Sequence, residues 1–594
     1  MKSTMKRLTY LLAVVIASVL TACNDFLETP VKSTLDESVI FSTPDLARGA
    51  VDGIKVPFGE TNSYRGRFLP WYGMNTDVEW YNASQTAGDN ADLAVYNAQP
   101  NNANMNTENN TWAQMYSGIE RANLCIRGLR RYGNPSPDNE LGNLLGEALT
   151  LRAVYYADLL KAWGDVPARF EPISSETIYL PKTSRDVIYK QLIADLGEAA
   201  TLVPWPNETA STSSVERVNK AFVKGLRARL CLAASGYSQY PVVGIKRSDD
   251  PELSVANMYA IAYQECLDVI NSGTARLEPL FETVFKKNNQ DDVTAGGETL
   301  WEIPFSDGRG RMLFTFAVRH ATNDQYHANG ANRGGQAGPL PIIFYDFDEK
   351  DTRRDVTCVP YRYGTADQNG FARQELVGLN TWYFGKYRYE WMDRFVTSTN
   401  DDGVNKLYMR YAEILLMAAE TANELQGPGA ALPYLREIRQ RAFNSADWTE
   451  KVDNYLSTLG TKEAMFTAIV DEHKFEFTGE MERKQALIRW NLLGTKIDEA
   501  KVKMYALIDR TGEYANVPSI LHYRYAADNE TLEIYGLNRG ENDPAPVGYE
   551  STFNWDNLNS EKVESIYIQN PDTKQFWPIW QVFLNSSNGQ LVNE

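Results

Sequence analysis

The stretch Gly146-Glu147-Ala148-Leu149-Thr150-Leu151-Arg152-Ala153-Val154-Tyr155-Tyr156, running on to Trp163-Gly164-Asp165-Val166-Pro167, decides the fold class. Leu144, Ala148, Leu151, Tyr155, Leu159 and Ala162 recur at the three- and four-residue intervals that line one face of an α-helix. Gly164 and Pro167 end it. Upstream, Trp112, Met115, Tyr116, Ile119, Ala122, Ile126 and Leu129 form another such stripe. Downstream come Ile188, Leu192, Leu196, Ala199 and Val203, then Val218, Ala221, Phe222, Gly225 and Leu232, then Tyr259, Ala262, Tyr263, Cys266 and Ile270. Helices joined by short loops pack antiparallel, so a helical scaffold is expected over about residues 41–270.

From about 271 to 400 the helical period disappears. Thr299-Leu300-Trp301-Glu302-Ile303-Pro304-Phe305 is strand-like, Asn329 to Gly338 is a glycine- and asparagine-rich loop, and aromatic clusters follow at Phe344–Phe347, Tyr361–Tyr363 and Trp382–Trp391. This is an irregular, loop-rich insertion with short strands. Helices return over about 401–495. Leu407, Tyr411, Ile414, Leu415, Ala418, Ala422 and Leu425 form a stripe, Gly427-Pro428-Gly429 breaks it, and Leu432, Leu435, Ile438 and Ala442 form the next. That hairpin of about 36 residues is close to the 34-residue tetratricopeptide period, and Ala418, Ala419 and Ala422 let its helices approach closely. A third helix is expected over about 462–490. Residues 496–594, rich in Tyr, Trp and Asn, show little periodicity and read as irregular.

At the other end of the chain, Lys2, Lys6 and Arg7 precede an apolar or small run from Leu8 to Leu20, and small residues lead to Cys23. This is a secretory signal over residues 1–22, too short to span a bilayer as a helix. Leu20-Thr21-Ala22-Cys23 resembles a lipobox, whose cysteine is acylated, so residues 23–40 read as a lipidated tether. Removal of the signal takes with it three basic residues, which moves the formal net charge from −18 to −21. So acidic a body argues against nucleic acid and against binding anionic lipid by charge. Apolar content of 43% supports a large folded core. Cys125, Cys231, Cys266 and Cys358 are too few for a disulfide framework and lack metal-ligand spacing, so buried free thiols are expected. The unusual feature is the 13 Trp and 33 Tyr, many outside the helical stripes.

In these blocks the chain resembles the SusD/RagB family, the surface nutrient-binding lipoproteins of Bacteroidetes outer membranes. Asn24-Asp25-Phe26-Leu27-Glu28 and Ala50-Val51-Asp52-Gly53-Ile54 look like its opening. Trp112 with Tyr116, Ile119, Ala122 and Asn123 resembles its second helix, and the block from Gly146 to Pro167 is the most specific match. Arg410-Tyr411-Ala412-Glu413-Ile414-Leu415-Leu416-Met417 and Ile438-Arg439-Gln440-Arg441-Ala442 follow. Two departures are visible. In the conserved-pattern run from Glu472 to Trp490, Gly479 precedes Glu480, while Met481 and Ala486 stand where Gly and Asp are expected. The terminal Tyr-Pro-Ile-Pro element reads Trp577-Pro578-Ile579-Trp580. The resemblance implies a mainly α, single SusD-like domain of tetratricopeptide-like helix pairs with ligand-binding loops. It also implies a non-catalytic, lipid-anchored, surface-facing outer-membrane protein that captures oligosaccharide or peptide for a SusC-like TonB-dependent transporter. The alternatives are a membrane-anchored glycan-processing enzyme and a helical adaptor without a small ligand.

Glu147, Arg152, Asp158 and Asp165 read as ion pairs fixing helix register rather than as a catalytic set. No nucleophile elbow, H-E-x-x-H, P-loop or Rossmann fingerprint is present. His320 and His327, seven residues apart, give a weak metal signal, and a solvated or hydrogen-bonded loop role is expected for them. Asp401-Asp402 and Asp348-Glu349-Lys350-Asp351 carry oxygen donors that suit calcium, but EF-hand spacing is absent. No cofactor or metal is therefore expected, a structural calcium ion being the alternative. Aromatic rings stack on the apolar faces of sugars while Asn, Asp and Arg bond hydroxyls. The candidate ligand residues are Trp80, Tyr81, Asp77 and Trp71 before the Trp112 helix, with Tyr72 beside them. Tyr326, Asn332 and Arg333 stand with His320 in the glycine-rich loop, and Trp382 with Tyr383 and Trp391. Trp80 is the leading anchor.

Overall fold

The computed structural model describes residues 36–60, 63–64, 68–398, 401–542 and 544–593. Cys23 and the signal segment lie outside these residues. The expected stripes become helices α1 Thr111–Gly128, α2 Glu140–Trp163, α3 Arg185–Leu202, α4 Lys220–Ser235 and α5 Val255–Ser272. Asn110, Asn139, Ser184 and Asn219 cap the first four, each side chain accepting a backbone N–H that the first turn leaves unpaired. Gly164 ends α2 at φ +70°, with its N–H on the Leu160 carbonyl. Nearly every side chain of α2 is buried, because α1 and α3 pack against it from either side. The array continues in chain order, α3 on α4 and α4 on α5.

It then resumes across a gap in sequence. Helix α6 Tyr411–Gln426 packs directly on α5, then on α7 Pro428–Ala442, and both contact α8 Lys462–Phe477. Residues 273–410 are thus an insertion between neighbouring helices, closed at its base by antiparallel pairing of two strands, Thr299–Ile303 and Lys406–Arg410. Ala418, Ala419 and Ala422 are buried as expected. So are Cys125, Cys231, Cys266 and Cys358, all free thiols.

Two expectations need correction. The helix expected over about 462–490 is two helices, α8 and α9 Arg483–Trp490, because Gly479 and Met481 both take positive φ, +89° and +66°. Met481 holds by strain a left-handed conformation that glycine adopts freely, which is the physical content of the departure in that motif. The region after 495 is less irregular than its composition suggests. It contains α10 Leu493–Ile508 and a three-stranded antiparallel sheet in which Ile520–Tyr525 lies between Leu532–Tyr535 and Ser551–Asn554.

The carboxylates of α8 bolt the insertion to the scaffold. Arg410 reaches Glu298 at 2.7 Å and Glu480 at 2.8 Å, and also contacts Glu476; Arg353 binds Glu472 at 2.6 Å and Glu476 at 2.9 Å. Arg441 joins Glu298 and Glu476 from α7. Burial alone would raise the Glu476 carboxyl, but Arg441, Arg410 and Arg353 hold it well below the ordinary range. The variant Trp577-Pro578-Ile579-Trp580 element closes on α2: the Trp163 indole donates to the Pro578 carbonyl at 3.1 Å, and Trp163 meets both Trp577 and Trp580 edge-on. No helix among the described residues is long and apolar enough to cross a membrane.

Candidate functional site

The two loops singled out by their aromatics meet. Strand Glu79–Tyr81 pairs antiparallel with strand Ala337–Pro339, Trp80 opposite Gly338 and Tyr81 opposite Ala337. No side chain fits at Gly338, because a Cβ there would lie 1.8 Å from the Trp382 carbonyl oxygen. The Asn82 amide donates to that same oxygen at 3.2 Å and to the Gly335 carbonyl at 3.0 Å. Gly335 in turn abuts Arg319, whose guanidinium donates to Asn332 Oδ1 at 2.7 Å. Tyr81, Asn82 and Arg319 are half-exposed and Asn332 is exposed, and Asn82 and Arg319 both adjoin Gly335.

Most of the aromatic candidates do not reach that surface. Trp80 is fully buried; the Lys562 ammonium sits 4.2 Å from its ring centre and donates to the Asn82 carbonyl at 2.7 Å. Burial pushes that ammonium down to about 7. Trp382 is equally buried, stacked on Trp555 and edge-on to Phe344. Trp71 lies in the core, and Asp77 is spent on a bidentate pair with Arg483 at 2.9 and 2.7 Å. These four are corrected from ligand contacts to structural residues: rings beneath loops gain more from burial than from display. Arg333 likewise serves its own loop, donating to the carbonyls of Asn329 and Ala331. Tyr326 keeps an accessible edge while its hydroxyl donates to Glu530. Arg319 was missed by sequence reasoning. Its alternation with buried Val318 and His320 emerges only from the structure.

The carboxylates weighed for catalysis are paired. Arg152 binds Asp195 at 2.7 Å, Glu147 meets Lys55 at 2.8 Å, Asp165 holds Arg185 at 2.7 Å, and Asp158 accepts from the Tyr64 hydroxyl. His320 and His327 are not solvated. Both are fully buried, with His320 Nδ1 2.6 Å from Asp324 Oδ2. Burial and the neighbouring His320 hold the His327 imidazole down to about 4. A separate aromatic depression of about 450 Å³ lies over α1, lined by Trp112, Tyr116, Ile178, Tyr179 and Phe583.

The chain belongs to the SusD family, whose sequence pattern matches residues 278–593; a second pattern, described as starch-binding and associating with the outer membrane, matches residues 60–232. It is similar to two SusD-like proteins of Formosa agariphila. One is 23% identical, covering 82% of this chain and 90% of the relative; the other is 26% identical, covering 79% and 88%. Among solved structures it is similar to a SusD homologue from Bacteroides thetaiotaomicron, with TM-score 0.67 and 18% identity over 79% of this chain and 90% of that one. It is also similar to surface glycan-binding protein A of that organism in complex with laminarihexaose, with TM-score 0.60 and 19% identity over 92% and 98%.

Proposed function

We propose that this protein is a non-catalytic receptor that binds oligosaccharide at the surface formed by Tyr81, Asn82, Arg319 and Asn332, with Tyr326 at its edge. The observation that carries this reading is the pairing of the Glu79–Tyr81 strand with Ala337–Pro339, which joins the loop bearing half-exposed Tyr81 to the insertion bearing the Arg319–Asn332 pair. A ring binds the apolar face of a sugar, and the Arg319 and Asn332 donors bond hydroxyls. Membership of the SusD family and the laminarihexaose complex of a relative support the ligand class. The engagement of Glu147, Asp158 and Asp165 in buried contacts supports binding without turnover. In this reading the lipid on Cys23 holds the protein at the outer face of the outer membrane, where it delivers ligand to a SusC-like TonB-dependent transporter.

The test incubates residues 24–594 with a panel of oligosaccharides that includes laminarihexaose. Saturable binding without new reducing ends is expected; release of reducing ends would establish an enzyme instead. Cys23→Ala should leave a folded protein that no longer partitions with membranes from cells lacking the transporter. Co-purification with a large β-barrel from detergent extracts tests the partner.

A further inference from the structure

We propose that His320, Asp324 and His327 form a binding site for a divalent transition-metal ion of the zinc type, placed directly beneath the loop that carries Arg319 and Asn332. The three side chains each offer a donor, all three donors lie within 4.8 Å of one another, and all three residues are buried. Two distances define the cluster. His320 Nδ1 is 2.6 Å from Asp324 Oδ2, and His327 Nε2 is 3.9 Å from that same oxygen. Zinc bonds of about 2.0–2.1 Å in a tetrahedron set neighbouring donors roughly 3.3 Å apart. The observed separations bracket that value, so each donor moves by less than about 1 Å to take up an ion.

A hydrogen-bonded triad does not account for the cluster, because His327 takes no part in one. Neither of its ring nitrogens has a hydrogen-bond partner, although the residue is fully buried. Asn329 stands against this ring, and its own Oδ1 is also unpartnered. Buried polar atoms are normally satisfied, so an unpartnered imidazole 3.9 Å from the His320–Asp324 pair has room for a partner that an ion would supply. The outer partner is present too. His320 Nε2, also unpartnered, lies 3.9 Å from Glu390 Oε2, itself unpartnered. With Nδ1 on the metal, the ring proton sits on Nε2 and points at that carboxylate, the arrangement that orients metal-binding imidazoles. Asp324 supplies a negative charge to the ion directly, while Glu390 shares its charge with Arg388 at 3.0 Å. Two imidazoles and one carboxylate favour zinc or a similar first-row ion, whereas calcium takes six or more oxygens. The backbone of His320 pairs with Arg333 in both directions, so an ion here staples the hairpin that holds Arg319 against Asn332.

The test uses residues 24–594, stripped with a chelator and titrated with zinc chloride by calorimetry and with cobalt chloride by visible absorption. One equivalent of zinc is expected, together with the d–d bands of cobalt in a nitrogen-containing, low-coordinate site, neither displaced by excess calcium. His327→Gln should weaken zinc binding by more than about 100-fold, beyond what loss of a supporting partner does. If His327→Gln fails to fold, Asp324→Asn, which keeps the contact with His320, should lose the cobalt spectrum. The proposal is overturned if the wild-type chain takes up no zinc, if calcium displaces it, or if the folded variants bind as the wild type does. Because the readout is metal alone, failure of oligosaccharide binding would leave this result intact, and the reverse.

Discussion

Replacing Trp80 and Tyr81 in turn separates the two faces of one short strand. Trp80 has no exposed surface, carries the Lys562 ammonium 4.2 Å from its ring centre, and lies opposite the side-chain-free Gly338. Removing a fully buried indole costs about 3–5 kcal/mol, the lost transfer energy plus the cavity left behind. Trp80→Ala should lower stability by that amount and leave the affinity of the folded molecules unchanged. Tyr81 is half out of the core, so Tyr81→Ala should cost at most about half as much. Its effect should fall on binding. Stacking of a base on an aromatic ring is worth about 1–3 kcal/mol, and by analogy a sugar–ring contact near the lower end gives about a tenfold loss of affinity. Chemical denaturation measures the first quantity and calorimetric titration with the oligosaccharide found to bind measures the second. Tyr179→Ala, in the separate depression over α1, serves as the control and should change neither by much. A Trp80→Ala protein of normal stability and lost affinity would refute the reasoning, as would a Tyr81→Ala protein that binds normally.

Three further outcomes follow from the fold. Glu476→Gln should destabilise by about 3–5 kcal/mol in denaturant titrations, since it leaves the buried guanidiniums of Arg353, Arg410 and Arg441 undercompensated; a loss under 1 kcal/mol would remove the network from the account of the insertion. Gly338→Ala should lose stability and affinity together, because its Cβ meets the Trp382 carbonyl and pushes the Tyr81 strand away. Burial raises the Glu302 carboxyl to about 7 despite the amides of Asn288 and Asn405 that bond it. The native state therefore holds a proton that the unfolded chain releases near 4.5, and this site loses stability as pH rises from about 4.5 to about 7, then levels off. Glu302→Gln should gain on the wild type over that window, by an amount on the order of 3 kcal/mol; a pH-independent difference would count against it.

The scaffold was legible because its helices repeat an apolar stripe that nothing else in the chain imitates, and α1 to α7 fall where those stripes run. The break at Gly479 and Met481 showed only as a departure from the motif, because a methionine side chain by itself does not mark a left-handed backbone. The sheet around Ile520–Tyr525 escaped notice because its strands are short and only partly buried. At the candidate site, residue types singled out two loops that the structure brings together, but not which of their side chains stay accessible. Trp80 and Tyr81 are adjacent in sequence and differ only in which side of the strand they occupy. Trp382 looks the same in sequence whether it faces a ligand or Trp555. The convergence of His320, Asp324 and His327 was half visible as a spacing, while their burial came only with the fold.

Helices α5 and α6 pack against each other as if the 273–410 segment between them were a tight turn, and the strands at its base bring its two ends within pairing distance. The entropy of closing so long an excursion is met once, at that ladder, and each further doubling in length adds only about 0.6 kcal/mol. A change in the length of what hangs beyond Ile303 therefore costs the array little in closing entropy, so long as the Arg353 and Arg410 ion pairs to Glu472 and Glu476 are kept.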